Sequence, residues 1–359
     1  MLRAMPLTLT IDGRQVPAEA GETVLAVARR VGADVPTLCH DPRLEPAGAC
    51  RSCLVEIQGQ RRLQPACAFP VAQGMVVTTD SERIQRHRRV LMSLYLADHD
   101  TDADGLPRQT PVGNQLRTLA QASGPLLDLP KVHAPRADRP GDANPYIAFD
   151  PSVCILCARC TRYCDEIEAV SAITLTERGA ATTIGTAGSK GLLDTSCELC
   201  GGCIAVCPTG AMYEKKAPVT QAEQVTRVRS TCNFCGVGCQ VDLNVADGRV
   251  IKVTSPPPGE TVNDGNLCVK GRFAYDFIHH EDRLTEPLVR GEDGQLHPTT
   301  WPDALERVAH GLKRVAERWG PNSLGFVSSS RCTGEENYLL QKLARAAFGT
   351  NNCHQCAAT

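Results

Sequence analysis

Cysteine is the residue that most constrains what this chain can fold into. The 359 residues include 19 cysteines, and all but three of these fall into four groups of four. The odd count and the tight clustering disfavour a secreted domain held by disulfides, and favour the binding of metal ions or metal clusters. The cysteines outside the groups are Cys332, Cys353 and Cys356. The four groups are Cys39, Cys50, Cys53 and Cys67; Cys154, Cys157, Cys160 and Cys164; Cys197, Cys200, Cys203 and Cys207; and Cys232, Cys235, Cys239 and Cys268.

The second and third groups share one spacing, C-x2-C-x2-C-x3-C, and Pro208 follows the third group. This spacing is typical of bacterial ferredoxins, in which each run gives three thiolates to one 4Fe–4S cluster and its fourth thiolate to the other cluster. A zinc site would instead need two CxxC pairs far apart in the sequence. We therefore predict two 4Fe–4S clusters. Their ligand sets are Cys154, Cys157, Cys160 and Cys207, and Cys197, Cys200, Cys203 and Cys164.

The first cysteine group follows a segment that has the pattern of a small β-grasp fold. Residues 7–11 alternate as a strand, the pair Asp12-Gly13 predicts a hairpin turn, and residues 23–31 have helical spacing. This context favours a 2Fe–2S cluster on the four cysteines of the group, although their spacing differs from the plant ferredoxin pattern. A zinc knuckle built on Cys50 and Cys53 is the alternative.

The fourth group has the spacing C-x2-C-x3-C-x28-C. Between its third and last cysteines, strand patterns at 241–245 and 250–253 flank the turn pair Asp247-Gly248. A hairpin lobe that carries three ligands and closes on a fourth can hold a further 4Fe–4S cluster. Zinc is the alternative because four thiolates also suit tetrahedral zinc, but the position of the lobe after two ferredoxin runs favours the cluster.

Charge and hydropathy argue against several other classes of protein. The chain has 38 Lys and Arg against 40 Asp and Glu, so its net charge of −2 gives no general attraction to nucleic acid or anionic lipid. It has no apolar run of about 18 residues, so we expect no membrane-spanning helix. Residues 1–13 lack the pattern of a signal peptide, and we expect a cytoplasmic, reducing location.

The last part of the chain has the pattern of alternating helices and strands. Apolar residues recur at helical spacing over 301–319, and Gly320-Pro321 predicts the end of that helix. A short buried strand is predicted at 324–327, and a second helix at 335–348 with Gly349 as its stop. Strand, loop and helix in this order indicate the beginning of an α/β domain.

The order of these segments resembles the N-terminal part of the α subunit of cytoplasmic NAD-dependent formate dehydrogenases, and its first part is similar to the large iron–sulfur subunit of complex I. Residues 232–239 (CNFCGVGC) and 268–272 (CVKGR) match the cluster lobe of the molybdopterin (bis-MGD) oxidoreductases. Residues 331–338 (RCTGEENY) and 349–352 (GTNN) resemble the formate dehydrogenase pterin domain. The resemblance implies that Lys270 relays electrons between cluster and pterin, and that the full-length protein binds molybdenum or tungsten bis-MGD.

On this basis we predict an α+β multi-domain chain with one 2Fe–2S cluster and three 4Fe–4S clusters. The predicted domains are a β-grasp 2Fe–2S ferredoxin domain at 1–82, a helix and loop region at 83–144, a two-cluster domain like the bacterial ferredoxins at 145–220, a 4Fe–4S lobe at 225–283, and the start of an α/β Rossmann-like pterin domain at 284–359.

The chain departs from this family in the region 83–144. Many relatives bind a further cluster there through H-x3-C-x2-C-x5-C. Here His99 begins the matching stretch, but the cysteine positions hold Ala103, Leu106 and Val112. One imidazole cannot hold a cubane, so we predict that this cluster is absent and that His99 is a solvated loop histidine.

A second departure is at the end of the chain. In the family pattern, the cysteine or selenocysteine that binds the metal falls immediately after Thr359. We hypothesise that the sequence is the front part of a longer selenoenzyme, with a frameshift or a fragment as the alternative. Residues 353–356 (CHQC) are expected to be loop residues rather than a metal site.

The resemblance implies formate oxidation to carbon dioxide, or the reverse, with this segment supplying the iron–sulfur path. The expected electron partner is a flavin- and NAD-binding diaphorase-type subunit or a hydrogenase subunit, and a ferredoxin is a further candidate. The alternative is a non-catalytic adaptor that links a diaphorase to a hydrogenase or ferredoxin. A zinc-bearing structural or nucleic-acid module is opposed by the neutral charge and the twin ferredoxin runs.

Overall fold

A computed structural model describes residues 7–110, 113–131, 142–216 and 224–356. The chain divides into two compact units, Met1–Glu223 and Gln224–Thr359, and each is described by itself. No helix in the described ranges is both long and apolar enough to cross a lipid bilayer.

The first unit begins with a five-stranded mixed sheet in the order β2-β1-β5-β3-β4. The Asp12-Gly13 turn joins β1 to β2, and both of its residues have the positive φ that a tight hairpin requires (48° and 80°). β5 runs parallel to β1, and helix α1 packs its buried face on the sheet, with Thr23 capping its first turn. This arrangement is a β-grasp, and the predicted strand, turn and helix are confirmed. The elements are β1 Leu7–Ile11, β2 Arg14–Ala18, α1 Val24–Arg30, β3 Leu54–Ile57, β4 Gln64–Pro65 and β5 Val76–Thr78.

The rest of the first unit surrounds the two ferredoxin-like runs. Helices α2 and α3 pack on each other, and two small antiparallel pairs, β6 with β9 and β7 with β8, frame the cysteine loops. A single π-helical turn, Tyr163–Ile167, continues α4. The elements are α2 Glu82–Ala97, α3 Gln115–Ala122, β6 Ile147–Phe149, α4 Arg159–Arg162, β7 Thr174–Thr176, β8 Thr183–Gly185, α5 Gly202–Ala205 and β9 Met212–Glu214.

The second unit begins with an antiparallel meander of three strands and ends with a parallel strand pair between helices. The predicted strands of the fourth cysteine group and the turn at Asp247-Gly248 are confirmed. The long helix predicted from 301 to 319 is also confirmed. The elements are β10 Thr226–Thr231, β11 Gln240–Ala246, β12 Arg249–Thr254, α6 Val269–Phe273, β13 Leu288–Arg290, β14 Leu296–Pro298, α7 Trp301–Trp319, β15 Phe326–Ser329, α8 Gly334–Lys342 and β16 Cys353–Cys356.

Two predictions about this second unit were wrong in detail. The strand predicted at 324–327 is Phe326–Ser329, and Val327 is exposed rather than buried. Cys353–Cys356 is not a loop but strand β16, which pairs in parallel with β15. The short polar stretch has no alternation of apolar residues, and its partner strand lies far away in the sequence, so local pattern did not indicate a strand.

Candidate iron–sulfur centres

The four cysteines of the first group are all buried beside the β-grasp sheet. They form two close pairs, Cys39 with Cys50 and Cys53 with Cys67. The hydrogen bond with Cys39 lowers the pKa of Cys50, and the hydrogen bond with Cys53 lowers the pKa of Cys67. The backbone N–H of Cys50 also donates to Cys39 Sγ at 3.4 Å. Two thiolates for each of two irons is the ligand arrangement of a 2Fe–2S cluster.

The first ferredoxin-like run is brought together with the last cysteine of the second run. Burial raises the pKa of the Cys160 thiol well above its usual range, and the charges of Cys157, Cys207 and Cys154 raise it further. Burial likewise raises the pKa of Cys157 to about 11, with Cys207 again a nearby charge. Cys207 therefore lies with the three cysteines of the other run.

The second run is arranged in the same way around Cys164. Burial raises the pKa of Cys197, and the neighbouring Cys164 thiolate raises it further. A cavity of about 930 Å³ is lined by all four cysteines of this proposed set and by residues from β8 and the segment before α5. The cysteine lining of this cavity is Cys164, Cys197, Cys200 and Cys203.

The loops of the two runs have the same backbone geometry. Leu156 and Leu199 each have a positive φ of 54°, and the N–H of each donates to the sulfur two residues earlier, at 3.4 Å. Similar bonds run from Ala172 to Cys164 Sγ at 3.3 Å and from Met212 to Cys207 Sγ at 3.4 Å. Backbone N–H groups that point at thiolate sulfurs stabilise the negative charge of a cluster, so these residues fit the group that the spacing predicts.

Tyr163 joins the ligand helices of the two runs. Its side chain is 1% exposed, and its hydroxyl donates to Glu168 Oε1 at 3.0 Å. The ring lies directly against the backbone of Gly202, where a Cβ atom would be only 1.8 Å from Tyr163 Cε1. The second residue of the Gly201-Gly202 pair therefore has to lack a side chain for α4 and α5 to approach each other.

The first cluster site adjoins the first ferredoxin-like site. Cys39 and Cys50 share an apolar cluster with Leu38, Met92 and Leu116, and Ile155 and Cys157 pack against it. Tyr95 lies between the two sets of thiols, and its hydroxyl donates to the carbonyl oxygen of Cys50 at 3.3 Å. Burial raises the pKa of Tyr95, and the thiolates of Cys50, Cys157 and Cys39 raise it further.

The fourth group lies on the meander of the second unit. The N–H of Cys232 bonds the carbonyl oxygen of Cys239 at 2.8 Å, and burial and the neighbouring thiolates raise the pKa of both side chains. Cys268, which is exposed, precedes helix α6. A Cβ at Gly271 would lie 3.6 Å from Cys232 Sγ, so α6 passes close to this thiol. Lys270 is half-buried on the same helix.

No three Cys, His, Asp or Glu side chains in the described ranges converge as they would around one metal ion. A mononuclear zinc holds four thiolates at about 2.3 Å from one point, whereas a cluster spreads its thiolates over several irons.

His99 is not the solvated loop histidine that we predicted. It is 1% exposed, and its Nδ1 donates to the carbonyl oxygen of Asp100 at 2.7 Å. It is buried because the chain after α2 runs beside the segment before Cys154, where the N–H of Asp100 bonds the carbonyl of Ser152 at 3.0 Å. Burial lowers the pKa of the His99 imidazole.

The stretch that holds three cysteines in some relatives is tied together by ion pairs. Arg108 pairs with Asp100 at 2.8 Å and also with Asp150. Arg117 pairs with Asp102 at 2.9 Å and also with Asp104. Ala103 and Leu106 lie within this loop, while Val112 falls outside the described residues. That no cluster binds here stays a prediction.

Four family models match successive parts of the chain. They are the 2Fe-2S iron-sulfur cluster binding domain at 4–82, the ferredoxin-like domain of NADH-quinone oxidoreductase subunit 3 at 144–213, the Fe4S4 domain of molybdopterin oxidoreductases at 225–280, and the molybdopterin oxidoreductase family itself at 283–359. The last two matches are both to domains of molybdopterin oxidoreductases. The predicted fold class is confirmed.

Proteins similar to this chain include the NADPH-Fe(3+) oxidoreductase subunit alpha of Geobacter sulfurreducens and an NADH-quinone oxidoreductase subunit of Rhizobium meliloti. Each is 38% identical and matches 96% of this chain. A Staphylococcus haemolyticus protein named "Putative formate dehydrogenase SH0748" is 29% identical over 98% of the chain. The chain spans about 40% of the length of these relatives.

A solved structure is also similar to part of this chain. A chain of an NAD+-reducing NiFe hydrogenase in the H2-reduced state matches with a TM-score of 0.53 and 32% identity, over 60% of this chain and 90% of that one. Taken with the family matches, this makes the segment an iron–sulfur electron-transfer module like that of the NADH-quinone oxidoreductases. Its relatives are named as subunits of larger redox enzymes.

Proposed function

We propose that this segment is a four-centre electron path that connects a pterin domain to a nicotinamide-linked partner. When bound, one 2Fe–2S and three 4Fe–4S clusters supply one-electron carriers in series. The observation that carries the proposal is the burial of Cys39 and Cys50 in the apolar cluster against which Cys157 of the next set packs. The proposed ligands are Cys39, Cys50, Cys53 and Cys67; Cys154, Cys157, Cys160 and Cys207; Cys197, Cys200, Cys203 and Cys164; and Cys232, Cys235, Cys239 and Cys268.

The chain's own residues do three things in this proposal. Thiolates hold the clusters, backbone N–H groups at Leu156 and Leu199 stabilise their negative charge, and the apolar cluster around Leu38 and Met92 excludes water between two centres. We propose that Lys270, half-buried on α6 next to Cys268, relays electrons toward the pterin.

In the proposed ligand sets, the last cysteine of each run, Cys164 or Cys207, binds the cluster of the other run. Cys207→Ser should remove the cluster of the first run, and Cys164→Ser that of the second, so each variant should lose about four irons per chain. The cluster of the first run adjoins the 2Fe–2S site through Cys157. Electron paramagnetic resonance of the reduced protein should therefore lose the spin coupling to the 2Fe–2S centre in Cys207→Ser alone.

Cys332→Ser is the matched control for this pair, because Cys332 is exposed and lies outside the four groups. Its iron content should equal that of the parent chain. If Cys164→Ser instead abolished the coupling, each run would bind its own cluster and the crossed assignment would be wrong.

We propose further that the full-length protein is a formate dehydrogenase α subunit. The support is the resemblance of residues 331–338 and 349–352 to that pterin domain, together with the 28–29% identical relatives named as putative formate dehydrogenases. The pterin-bound metal supplies the two-electron chemistry. A flavin- and NAD-binding or hydrogenase-type subunit is the proposed electron partner, in keeping with the names of the relatives and of the matched structure.

Formate added to the anaerobic full-length protein, loaded with pterin and metal, should reduce its iron–sulfur centres within one turnover. The measurement is the appearance of reduced-cluster signals by electron paramagnetic resonance, with metal-free protein as the control. If loaded protein responded to NADH or NADPH through its partner but not to formate, the substrate assignment would fail while the electron path stood. Absence of bound pterin from the native complex would favour the adaptor.

A further inference from the structure

A side chain of the first ferredoxin-like run binds the backbone of a ligand in the 2Fe–2S site. Arg162 lies between Cys160 and Cys164, on the last turn of α4. Its guanidinium donates to the carbonyl oxygen of Cys39 at 2.5 Å and to that of Glu45 at 2.6 Å. The loop that carries Cys39 is thus fastened to the helix that carries ligands of the neighbouring cluster.

A buried ion-pair cluster stands beside this contact. The Asp41 side chain is only 5% exposed and accepts two bonds from Arg43, at 2.9 and 3.0 Å, and one from Arg159 at 3.3 Å. Burial opposes the ionised form, but the hydrogen bonds and charge of Arg43 and the charge of Arg159 outweigh it and lower the pKa of Asp41 to about 2. We call Asp41, Arg43, Arg159 and Arg162 the arginine latch.

The latch carries net positive charge, with three guanidinium groups against one carboxylate. Glu166, which accepts from the N–H of Glu45 at 2.8 Å, is a further carboxylate near this contact, and it is exposed. The Nε–H groups of Arg159 and Arg162 are buried and have no hydrogen-bond partner within the described residues. Buried positive charge whose hydrogen-bonding capacity is not filled by the chain interacts strongly with negative charge nearby.

We propose that Arg162 is a positioning residue that holds the Cys39 loop and raises the reduction potential of the 2Fe–2S centre. The inference rests on the proposed function, because it requires a centre on Cys39. Reduction adds one electron to the centre, and a partly buried positive charge beside a ligand favours the more negative state. The latch thereby tunes the energy step between the 2Fe–2S centre and its neighbour.

The test is a potentiometric titration of the cluster-loaded full chain, with dithionite as reductant and electron paramagnetic resonance of the 2Fe–2S signal as readout. Arg162→Gln should lower the equilibrium constant for reduction about tenfold, which is 59 mV for one electron. Arg162→Lys keeps the charge but loses the forked contact, so it should restore most of the potential. Arg14→Gln is the control, because Arg14 is exposed on β2 of the same sheet.

An intact 2Fe–2S signal with unchanged potential in Arg162→Gln would overturn the inference, as would an equal shift in Arg14→Gln. If Arg162→Gln lost the centre altogether, Arg159→Gln would decide: it removes a latch charge without touching Cys39, so a lowered potential supports the inference and an unchanged one defeats it. A parent chain with no 2Fe–2S signal would refute the proposed function itself, which keeps the two failures distinct.

Discussion

Gly202→Ala should destabilise the two-cluster region by more than about 3 kcal/mol, because overpacking a rigid buried site forces backbone shifts. The new methyl group would lie 1.8, 2.4 and 2.6 Å from three ring atoms of Tyr163. The ring has little room to move, since it is 1% exposed, bonded to Glu168 and covered by the Arg43 guanidinium at 5.2 Å. The free energy of unfolding in urea and the iron content per chain measure the effect, and both should fall.

Two variants separate this clash from a general effect of alanine. Gly311→Ala lies in the interior of α7, where nothing is within 4 Å of the added Cβ, and should raise helix stability by about 0.5–1 kcal/mol. Adding Tyr163→Ala to Gly202→Ala removes the opposing ring, so the double variant should recover iron relative to Gly202→Ala alone. Normal iron content in Gly202→Ala would show that α4 and α5 do not approach as described.

Asp41→Asn should destabilise the first unit by roughly 3–5 kcal/mol, the range seen when one partner of a buried ion pair is removed. The amide keeps the shape of the carboxylate but removes the negative charge that Arg43 and Arg159 contact. Asp293→Asn is the matched control: its pair with His297 is exposed and should change the unfolding free energy by under about 0.5 kcal/mol. Equal effects in the two variants would contradict the burial of the latch.

The Asp41 carboxylate should also make the free energy of unfolding depend on pH. The folded pKa of Asp41 is about 2, below its ordinary value of about 3.9, so its ionised form stabilises the fold at neutral pH. This contribution, on the order of 2 kcal/mol, is lost as pH falls from about 5 toward 2. Urea unfolding should therefore show a difference between the parent chain and Asp41→Asn that shrinks over this range; a constant difference would exclude Asp41 as its source.

Local elements of this protein could be predicted because their signals lie within a few residues. The Asp12-Gly13 turn and helix α7 depend on local backbone preference and on periodicity, and both were predicted at the correct residues. The contact of Arg162 with Cys39 spans 123 positions, and no local pattern reports such a pairing. Gly202 offered a signal in the Gly201-Gly202 pair, but only the packed Tyr163 ring shows which of the two glycines cannot be replaced.

The predictions of a solvated His99 and of a loop at residues 353–356 were wrong for the same physical reason. The burial of His99 depends on the segment around Ser152, and β16 exists because β15 offers it an edge. The cysteine spacing was more informative than the local sequence around His99 or β16, because cluster chemistry restricts which spacings can surround one centre. It does not determine which loops adjoin, and the junction between the 2Fe–2S site and Cys157 came only from the fold.

The ion pairs of the loop around Arg108 and Arg117 also bear on whether the structure of that loop depends on iron supply. A cluster-bound loop takes its shape only when iron and sulfide are delivered, and it loses that shape when oxidants destroy the cluster. Here four aspartates and two arginines, all encoded in the gene, hold the loop. On the prediction that no cluster binds in this loop, we expect its shape to respond to ionic strength rather than to iron supply.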